Sequence, residues 1–281
     1  MSEGPKIERP VDRFWRWCGI ERPPVVAVLR LEGAIGRMGP WRGGLTLPGL
    51  AGAIERAFAL PRLKAVALQV NSPGGSPVQS GLIQRRIRAL ADEKKVPVVA
   101  FVEDVAASGG YWIALAADEI LADENSIVGS IGVLSAGFGF QNLIERAGIE
   151  RRVHTAGTRK AMLDPFRAEQ AEDVAHLHAL QGEMHESFKA LVRARRGATL
   201  TAAEDELFEG AFWTGRKALS LGLIDGIGDL RETMRRRFGE KVKLRVVGGA
   251  PSWRRRLGLA AAGEGLIGAV EERLMWMRYG L

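Results

Sequence analysis

The pattern of apolar and polar residues in the first half of the chain predicts two successive strand–turn–helix units. The apolar run Lys64–Val70 is followed by a glycine-rich turn and a helix from Val78 to about Asp92. The run Val96–Val102 is followed by a second such turn and an apolar helix that reaches Ala117. Units of this kind are typical of an α/β fold with parallel strands. Both turns then lie at the carboxyl ends of their strands, where α/β folds build their sites.

Other segments on either side of these units show the periodicity of strands and helices. The long helix predicted at Phe166–Arg196 carries apolar residues spaced three and four positions apart, and it is predicted to end before Gly197. The predicted elements are strands at Val25–Leu31 and Ile127–Val133, helices at Leu50–Leu60 and Phe166–Arg196, and a helix, turn and short strand over Thr214–Leu230.

Three parts of the chain are distinguished by composition. A polar lead-in over residues 1–24 precedes a large α/β domain over residues 25–250, and a basic amphipathic tail follows over residues 251–281. The tail opens on three arginines and has two interpretations. It could lie on a membrane surface or dock on a neighbouring subunit, and docking is favoured.

Composition and charge narrow the class of protein. The chain has 281 residues, a formal net charge of +7 and one cysteine, Cys18, so an internal disulfide framework is excluded. The arginine clusters are interpreted as solvated helix faces, because no aromatic-interleaved signature supports nucleic-acid binding. Neither a secretion signal nor a membrane span is recognised, so we expect a cytoplasmic protein, with peripheral contact at the inner face of the membrane through the tail as the alternative.

Two glycine-rich turns carry the candidate chemistry. "NSPGG" ends in Gly74 and Gly75, whose peptide N–H groups could bind negative charge as an oxyanion hole, although a plain tight turn is equally compatible. "AASGG" places Ser108 before Gly109 at a strand-to-helix turn. A serine there is either a nucleophile with an exposed hydroxyl or only a helix N-cap.

The ordered series of motifs adds to this interpretation. "NSPGGS", "DVAASGGYWIALAADEILADENSIVGSIGVL", "GTRKAMLDPF" and "ALSLGLIDGIGDL" resemble the bacterial signal peptide peptidase A (SppA/SohB) family of serine proteases over roughly Val25–Leu230. The resemblance implies a ClpP/crotonase-like α/β spiral of strand–strand–helix units with a Ser–Lys dyad. It implies Ser108 as nucleophile, Lys160 as general base and Ser130 as the hydroxyl that helps to hold the lysine amine. The oxyanion donors would be the N–H groups of Gly74 or Gly75 and of Gly109.

A lysine base must be neutral, which constrains its surroundings. The reference pKa of lysine, ~10.4, leaves well under ~1% of the amine neutral near pH 8, and burial away from carboxylates lowers that pKa. Apolar residues follow Lys160, and Arg159 beside it adds positive charge that favours the neutral amine. Asp164 is predicted to point away, because a facing carboxylate would have the opposite effect. His154 is kept as the alternative base, paired with Ser108.

The expected function is that of a serine endopeptidase that cleaves unfolded or hydrophobic peptides through an acyl-enzyme. The resemblance also implies a ring- or dome-shaped homo-oligomer. No cofactor or metal is expected, because His176, His178 and His185 lack a convergent carboxylate. One alternative is a crotonase-type acyl-CoA enzyme that would use Glu103 and Asp104. The other is a membrane-associated scaffold with an inactive site.

Overall fold

The protein is built around a mostly parallel sheet of eight strands. The structure is a computed structural model, which describes residues 22–36, 44–248, 270 and 273–281. The strands are β1 Val25–Glu32, β2 Leu63–Ser72, β3 Val98–Ala107, β4 Glu119–Ala122, β5 Ile127–Gly129, β6 Phe212–Thr214, β7 Gly226–Ile227 and β8 Lys243–Val247. The helices are α1 Leu47–Phe58, α2 Pro77–Lys94, α3 Gly109–Ala114, α4 Gln141–Arg146, α5 Ala171–Arg196, α6 Glu204–Leu207, α7 Gly215–Ser220 and α8 Leu230–Phe238. A further helical turn covers residues 273–277.

The strand order confirms the predicted α/β class. The main path of the sheet runs β6-β5-β3-β2-β1-β8, and every pairing except β5 with β6 is parallel. The long strand β3 pairs with β4 through Val99–Val102 and with β5 through Val105–Ala107. The strand β4 also pairs with β7. Because β2 and β3 run parallel, the two glycine-rich turns that follow them meet at one edge of the sheet.

The core lies on both faces of the three central strands. The larger cluster, which includes Leu29, Leu68 and Ile87, packs β1–β3 against the helices that follow them. A smaller cluster on the opposite face includes Phe101 and Met234 of α8. Strands covered on both faces read as nearly continuous apolar runs, which is why β2 and β3 were recognisable in the sequence.

Several predicted boundaries differ from the structure: β3 runs to Ala107 instead of Val102, and α3 ends at Ala114 instead of Ala117. Two further differences have local reasons. The long helix α5 begins at Ala171 instead of Phe166, because Asp164 accepts hydrogen bonds from the backbone N–H groups of Phe166 and Arg167 and so forms a separate turn. The strand β5 ends at Gly129 instead of Val133, because Ser130 adopts a positive φ of 53° that leaves the strand conformation. The strands β4, β6 and β8 and the helices α4, α6 and α8 are not predicted from the sequence.

Some expectations fall outside the described residues. Cys18 and most of the lead-in lie there, as do residues 249–269 with the three arginines of the tail. The domain boundaries at residues 24 and 250 therefore stay predictions. Among the residues that the structure describes, no helix is long and apolar enough to cross a membrane.

Candidate active site

Ser108 lies on the turn between β3 and α3 in a strained backbone conformation. Its φ of 52° and ψ of −120° fall where residues other than glycine are rarely found, and such strain is concentrated at functional sites. Its N–H donates to the carbonyl of Gly129 at 2.8 Å, and its carbonyl accepts from the N–H of Trp112 at 3.0 Å. The Ser108 side chain does not cap α3 and has no hydrogen bond within the described part of the chain. Ser108 thus occupies the N-cap position of α3 without capping it through its side chain, and its hydroxyl is left available.

The turn after β2 packs directly against Ser108. Gly74 has a φ of 103°, and a β carbon added there would lie 2.8 Å from the nitrogen of Gly109 and 2.9 Å from the β carbon of Ser108. The N–H of Gly74 donates to the hydroxyl of Ser72 at 3.2 Å, and its carbonyl accepts from the N–H of Ile35 at 2.8 Å. Only glycine fits this close approach.

Two backbone N–H groups near Ser108 have no acceptor among the described residues. They belong to Gly75 and Gly109, and a β carbon on Gly109 would lie 3.3 Å from the nitrogen of Gly75. Because Gly74 already donates to Ser72, Gly75 and Gly109 are the available pair. Paired donors beside a nucleophile can stabilise the oxyanion of a tetrahedral intermediate.

Helix α3, which fixes Ser108, is anchored by its own side chains. The hydroxyl of Tyr111 donates to the carbonyl of Leu223 at 2.7 Å, and complete burial raises the pKa of this phenol. The indole of Trp112 stacks on Phe188 of α5 with ring centroids 4.6 Å apart. These contacts fix the helix that directly follows the turn.

The "DGIGDL" motif links neighbouring elements of the fold through its first residue, Asp225. The carboxylate of Asp225 accepts from the backbone N–H of Ile120 and from the guanidinium of Arg196, the latter at 2.8 Å to both oxygens. Arg196 also donates to the carbonyl of Gly222. The motif therefore joins β4, α5 and the turn before β7, and its role is structural.

Ser130 follows Gly129, the residue whose carbonyl accepts the N–H of Ser108. It is buried, and its N–H donates to the carbonyl of Ala211 at 2.6 Å. Since Gly129 accepts the N–H of Ser108, the two serines come from directly paired segments. The hydroxyl of Tyr279 donates to that of Ser130 at 3.4 Å, and the Tyr279 ring packs edge-on against Phe212 at 5.0 Å.

Two residues near Ser130 had no predicted place in the site. They are Tyr279 and His185, whose Nε2 lies 3.1 Å from the carbonyl of Ile131. For His185 a signal existed, because it precedes Phe188 by one helical turn and so shares the face of α5 that turns towards the core. For Tyr279 none existed, because its contact joins segments that are distant in the chain.

The structure does not bring Lys160 to Ser108 within one chain. Lys160 is exposed in a turn, and its own N–H donates to the carbonyl of Gly157 at 3.2 Å. No hydrogen bond joins its amine to Ser108 or Ser130 in the described ranges. His154, the alternative base, is also exposed and likewise has no hydrogen bond to Ser108 there.

Lys160 belongs to a segment with little core of its own, residues 134–170, which we call the arm. Most of its residues are exposed. Its exposed large apolar side chains are Leu134, Phe138, Phe140, Leu143 and Ile149. The rings of Phe138 and Phe140 lie together, with centroids 6.3 Å apart. Grouped exposed apolar side chains are typical of interaction sites.

Internal contacts of the arm are aromatic and ionic. The ring centroid of Phe166 lies 5.6 Å from that of Phe140 and 4.8 Å from the guanidinium carbon of Arg151. The carboxylate of Asp164 pairs with Arg151, whose hydrogen bond lowers the pKa of Asp164 most, followed by the hydrogen bond from the N–H of Phe166. The Asp164 carboxylate thus faces arginine, and within the described residues it makes no ion pair with Lys160.

The carboxylates considered for acyl-CoA chemistry have other partners. Glu103 accepts from the side-chain amide of Gln69 at 2.6 Å, and Asp104 accepts from that of Asn71 at 2.7 Å. These bonds tie β3 to β2. No contact among the described residues directs either carboxylate at the hydroxyl of Ser108.

Comparison with known proteins gives one family model and several relatives. The model of peptidase family S49 matches residues 90–244, a stretch that contains Ser108, Ser130 and Lys160. A Brucella abortus protein named Na(+)/H(+) antiporter NhaA is 49% identical over 98% of this chain, which spans 39% of that protein. The chloroplastic serine protease SPPA of Arabidopsis thaliana is 35% identical over 73% of this chain and 31% of its own length. Protease 4 of Haemophilus influenzae is 35% identical over 75% of this chain and 34% of its own length.

Proposed function

Because this chain belongs to peptidase family S49, we propose that it is a serine endopeptidase with Ser108 as its nucleophile. One observation carries the proposal. The hydroxyl of Ser108 has no hydrogen bond in the described structure and lies on a strained turn beside the unpaired N–H groups of Gly75 and Gly109. That arrangement provides a nucleophile and a preorganised site for the negative charge that its attack creates.

The reaction follows from these groups and one base. The Ser108 oxygen attacks the scissile carbonyl carbon while its proton passes to the neutral amine of Lys160, and the carbonyl oxygen becomes an oxyanion bound by Gly75 and Gly109. Collapse of this intermediate breaks the C–N bond, and the lysine ammonium gives its proton to the leaving amine. Water then attacks the acyl-enzyme with the same lysine as base, which releases the acid and restores the Ser108 hydroxyl.

Lys160 is supplied by a neighbouring copy of the chain in this proposal. Within one chain the lysine is exposed on the arm, and the arm presents apolar side chains such as Phe138 and Leu143 to solvent. Docking the arm on a second copy buries those side chains and removes the amine from water, and such desolvation favours its neutral form. An arm that docks head-to-tail generates a closed ring, in keeping with the expected homo-oligomer.

The proposed substrate is an extended, unfolded or hydrophobic peptide. Beyond β5 the chain continues as residues 131–140 without a strand partner among the described residues, beside the turn that holds Ser108. An extended peptide could align there by backbone hydrogen bonds, with its side chains setting specificity. Family membership and Ser108 favour this substrate class over an acyl-CoA thioester.

Hydrolysis of casein across a range of pH tests the chemistry. We expect Ser108→Ala and Lys160→Ala each to lose at least about 10³-fold in rate, since nucleophile and base act as a unit. The wild-type rate should rise with pH, because only the neutral amine of Lys160 can accept the proton of Ser108. Ser187→Ala, an exposed serine on α5, is the matched control and should keep full activity. Activity that survives Lys160→Ala but not Ser108→Ala would remove the dyad and direct attention to His154.

Mixing the two inactive variants tests whether the dyad forms between copies. When Ser108→Ala and Lys160→Ala chains are mixed in equal amounts and reassembled, about one site in four combines an intact serine with an intact lysine from its neighbour. The mixture should therefore regain about a quarter of wild-type activity. If serine and lysine pair within one chain, no site is intact and the mixture stays inactive.

A further inference from the structure

A cavity at the amino ends of the central strands carries an unbalanced positive charge. It measures about 1110 Å³ and opens between the beginnings of β1, β2 and β3 and the carboxyl ends of α2 and α8. Its basic lining residues are Arg22, Arg62, Lys64, Lys94, Lys95 and Lys241. Glu240 is the one acidic residue in the lining. We call this space the basic cavity.

Some charges of the basic cavity are paired and others are not within the described chain. Lys94 pairs with Glu93 at 2.7 Å, and the carboxylate of Glu240 pairs with Arg235 at 3.7 Å. Lys64, Lys95 and Lys241 form no ion pair with any carboxylate that the structure describes. Like charges that share one concave surface repel each other and raise the local concentration of anions.

Favourable interactions between basic side chains and helix carboxyl ends explain only part of this clustering of basic residues. Lys94 and Lys95 lie at the carboxyl end of α2, where cations interact favourably with the backbone carbonyls. Arg62 and Lys64 come instead from the start of β2, where no helix end requires a cation. Basic residues from separate elements therefore converge on one space.

Arg62 shows two energetic costs at the same residue. It has a positive φ of 59°, which is strained for a side chain other than glycine. One of its nitrogens, Nη1, donates to the carbonyl of Pro23 at 2.8 Å, but its Nε is buried without a hydrogen-bond partner. An unpaired buried donor is rare. Because Nε is sealed from solvent, an anion in the cavity would be bound by the outer N–H groups of the half-buried guanidinium, as phosphates commonly are.

We propose that the basic cavity binds a phosphate-bearing anion. The ligand is recognised through its phosphate oxygens by the guanidinium of Arg62 and the amines of Lys64 and Lys95. A soluble polyphosphate and an anionic phospholipid headgroup share this chemistry. The site is separate from the proposed peptidase site, because Ser108 follows the carboxyl end of β3, roughly 30 Å along the strand from its amino end.

Calorimetric titration with sodium tripolyphosphate tests the site on the full chain. We expect wild type to bind one tripolyphosphate per chain, more weakly as salt is raised. The charge reversal Lys64→Glu with Lys95→Glu, and the neutral pair Lys64→Gln with Lys95→Gln, should each weaken binding by about tenfold or more. Both lysines are exposed, so thermal unfolding should show that both pairs of substitutions leave the fold intact.

A matched control separates a site from general charge. Lys217→Glu with Arg245→Glu makes the same change in net charge at exposed positions outside the cavity lining, and it should leave tripolyphosphate affinity unchanged. Absence of binding by wild type, or an equal loss in the control, would overturn the proposal.

Flotation with vesicles that contain phosphatidylglycerol distinguishes the two sources of phosphate. Binding that tripolyphosphate displaces and that the Lys64/Lys95 variants lose identifies a lipid headgroup in the cavity. Tripolyphosphate binding without flotation identifies a soluble ligand. Flotation that tripolyphosphate does not displace places the lipid contact elsewhere and overturns the headgroup assignment.

Discussion

The turn that holds Ser108 and the arm that holds Lys160 differ in how much protein surrounds them. Ser108 follows a buried strand, its backbone is bonded to Gly129 and Trp112, and Gly74 packs against its β carbon. Lys160 lies on a segment whose apolar side chains face solvent and whose contacts are largely internal. Both positions belong to the matched stretch of one peptidase family.

A single chain therefore positions the serine of the proposed dyad but not its lysine. A nucleophile and oxyanion donors need precise backbone placement, and packing in the core provides it. A lysine base needs removal from water, and an exposed arm cannot provide that without a second surface. Assembly of copies would then control the reaction through the base, with the nucleophile already in place.

The largest contrast in stability should come from two phenylalanines, one in each region. Phe188 is 1% exposed and stacks on Trp112, whereas Phe138 is 75% exposed on the arm. Phe188→Ala should lower the free energy of unfolding by about 3–5 kcal/mol, and Phe138→Ala should change it by less than about 0.5 kcal/mol. Chemical denaturation measures both values.

Sedimentation of the same variants tests whether the arm contributes to assembly of copies. Phe138→Ala should weaken assembly and, with it, casein hydrolysis, because an apolar side chain proposed for the interface is removed. Unchanged assembly together with unchanged activity would show that this part of the arm does not dock on another copy.

The next effect compares two glycines. Gly74→Ala introduces a β carbon into contacts of 2.8–2.9 Å at a φ of 103°, whereas a β carbon on Gly139 of the arm meets nothing within 4 Å. We expect Gly74→Ala to lower casein hydrolysis by about 10²–10³-fold, because it displaces the nucleophile from its oxyanion donors. Gly139→Ala should retain wild-type activity. Similar losses for both glycines would contradict the view that only the turn is finely placed.

The smallest predicted effect is the response of the arm to acidic pH. Since the hydrogen bond from Arg151 holds the pKa of Asp164 below its ordinary value, ionised Asp164 stabilises the arm above that value, and the stabilisation is lost as the pH falls through the lowered pKa. The amide resonance of Phe166, whose N–H donates to this carboxylate, should shift between about pH 5 and about pH 2. Asp164→Asn should abolish that shift, while the Ser108 amide remains unchanged in both proteins.

Much of the fold was predictable because its central strands are buried on both faces. The cores of β1, β2 and β3 appear in the sequence as apolar runs, and each helix that follows has its own periodicity. Short strands such as β6 and β8 were not predictable, because their few residues acquire strand geometry only by pairing with β5 and β1. Helix α5 was predicted, but its first residue was placed too early in the sequence, because the Asp164 carboxylate accepts the N–H of Phe166 in a separate turn.

For the candidate site, the sequence predicts a serine and glycines on turns after buried strands, and a lysine that only a family resemblance singles out. Which of these residues meet depends on the tertiary structure. Among the described residues, the Ser108 hydroxyl and the N–H of Gly75 have no hydrogen-bond partner, the N–H of Gly74 donates to Ser72, and Tyr279 contacts Ser130. Lys160 lies outside the site of its own chain. The physical reason is that strands and turns are encoded by neighbouring residues, whereas desolvation and hydrogen-bond pairing depend on segments that are distant in the sequence.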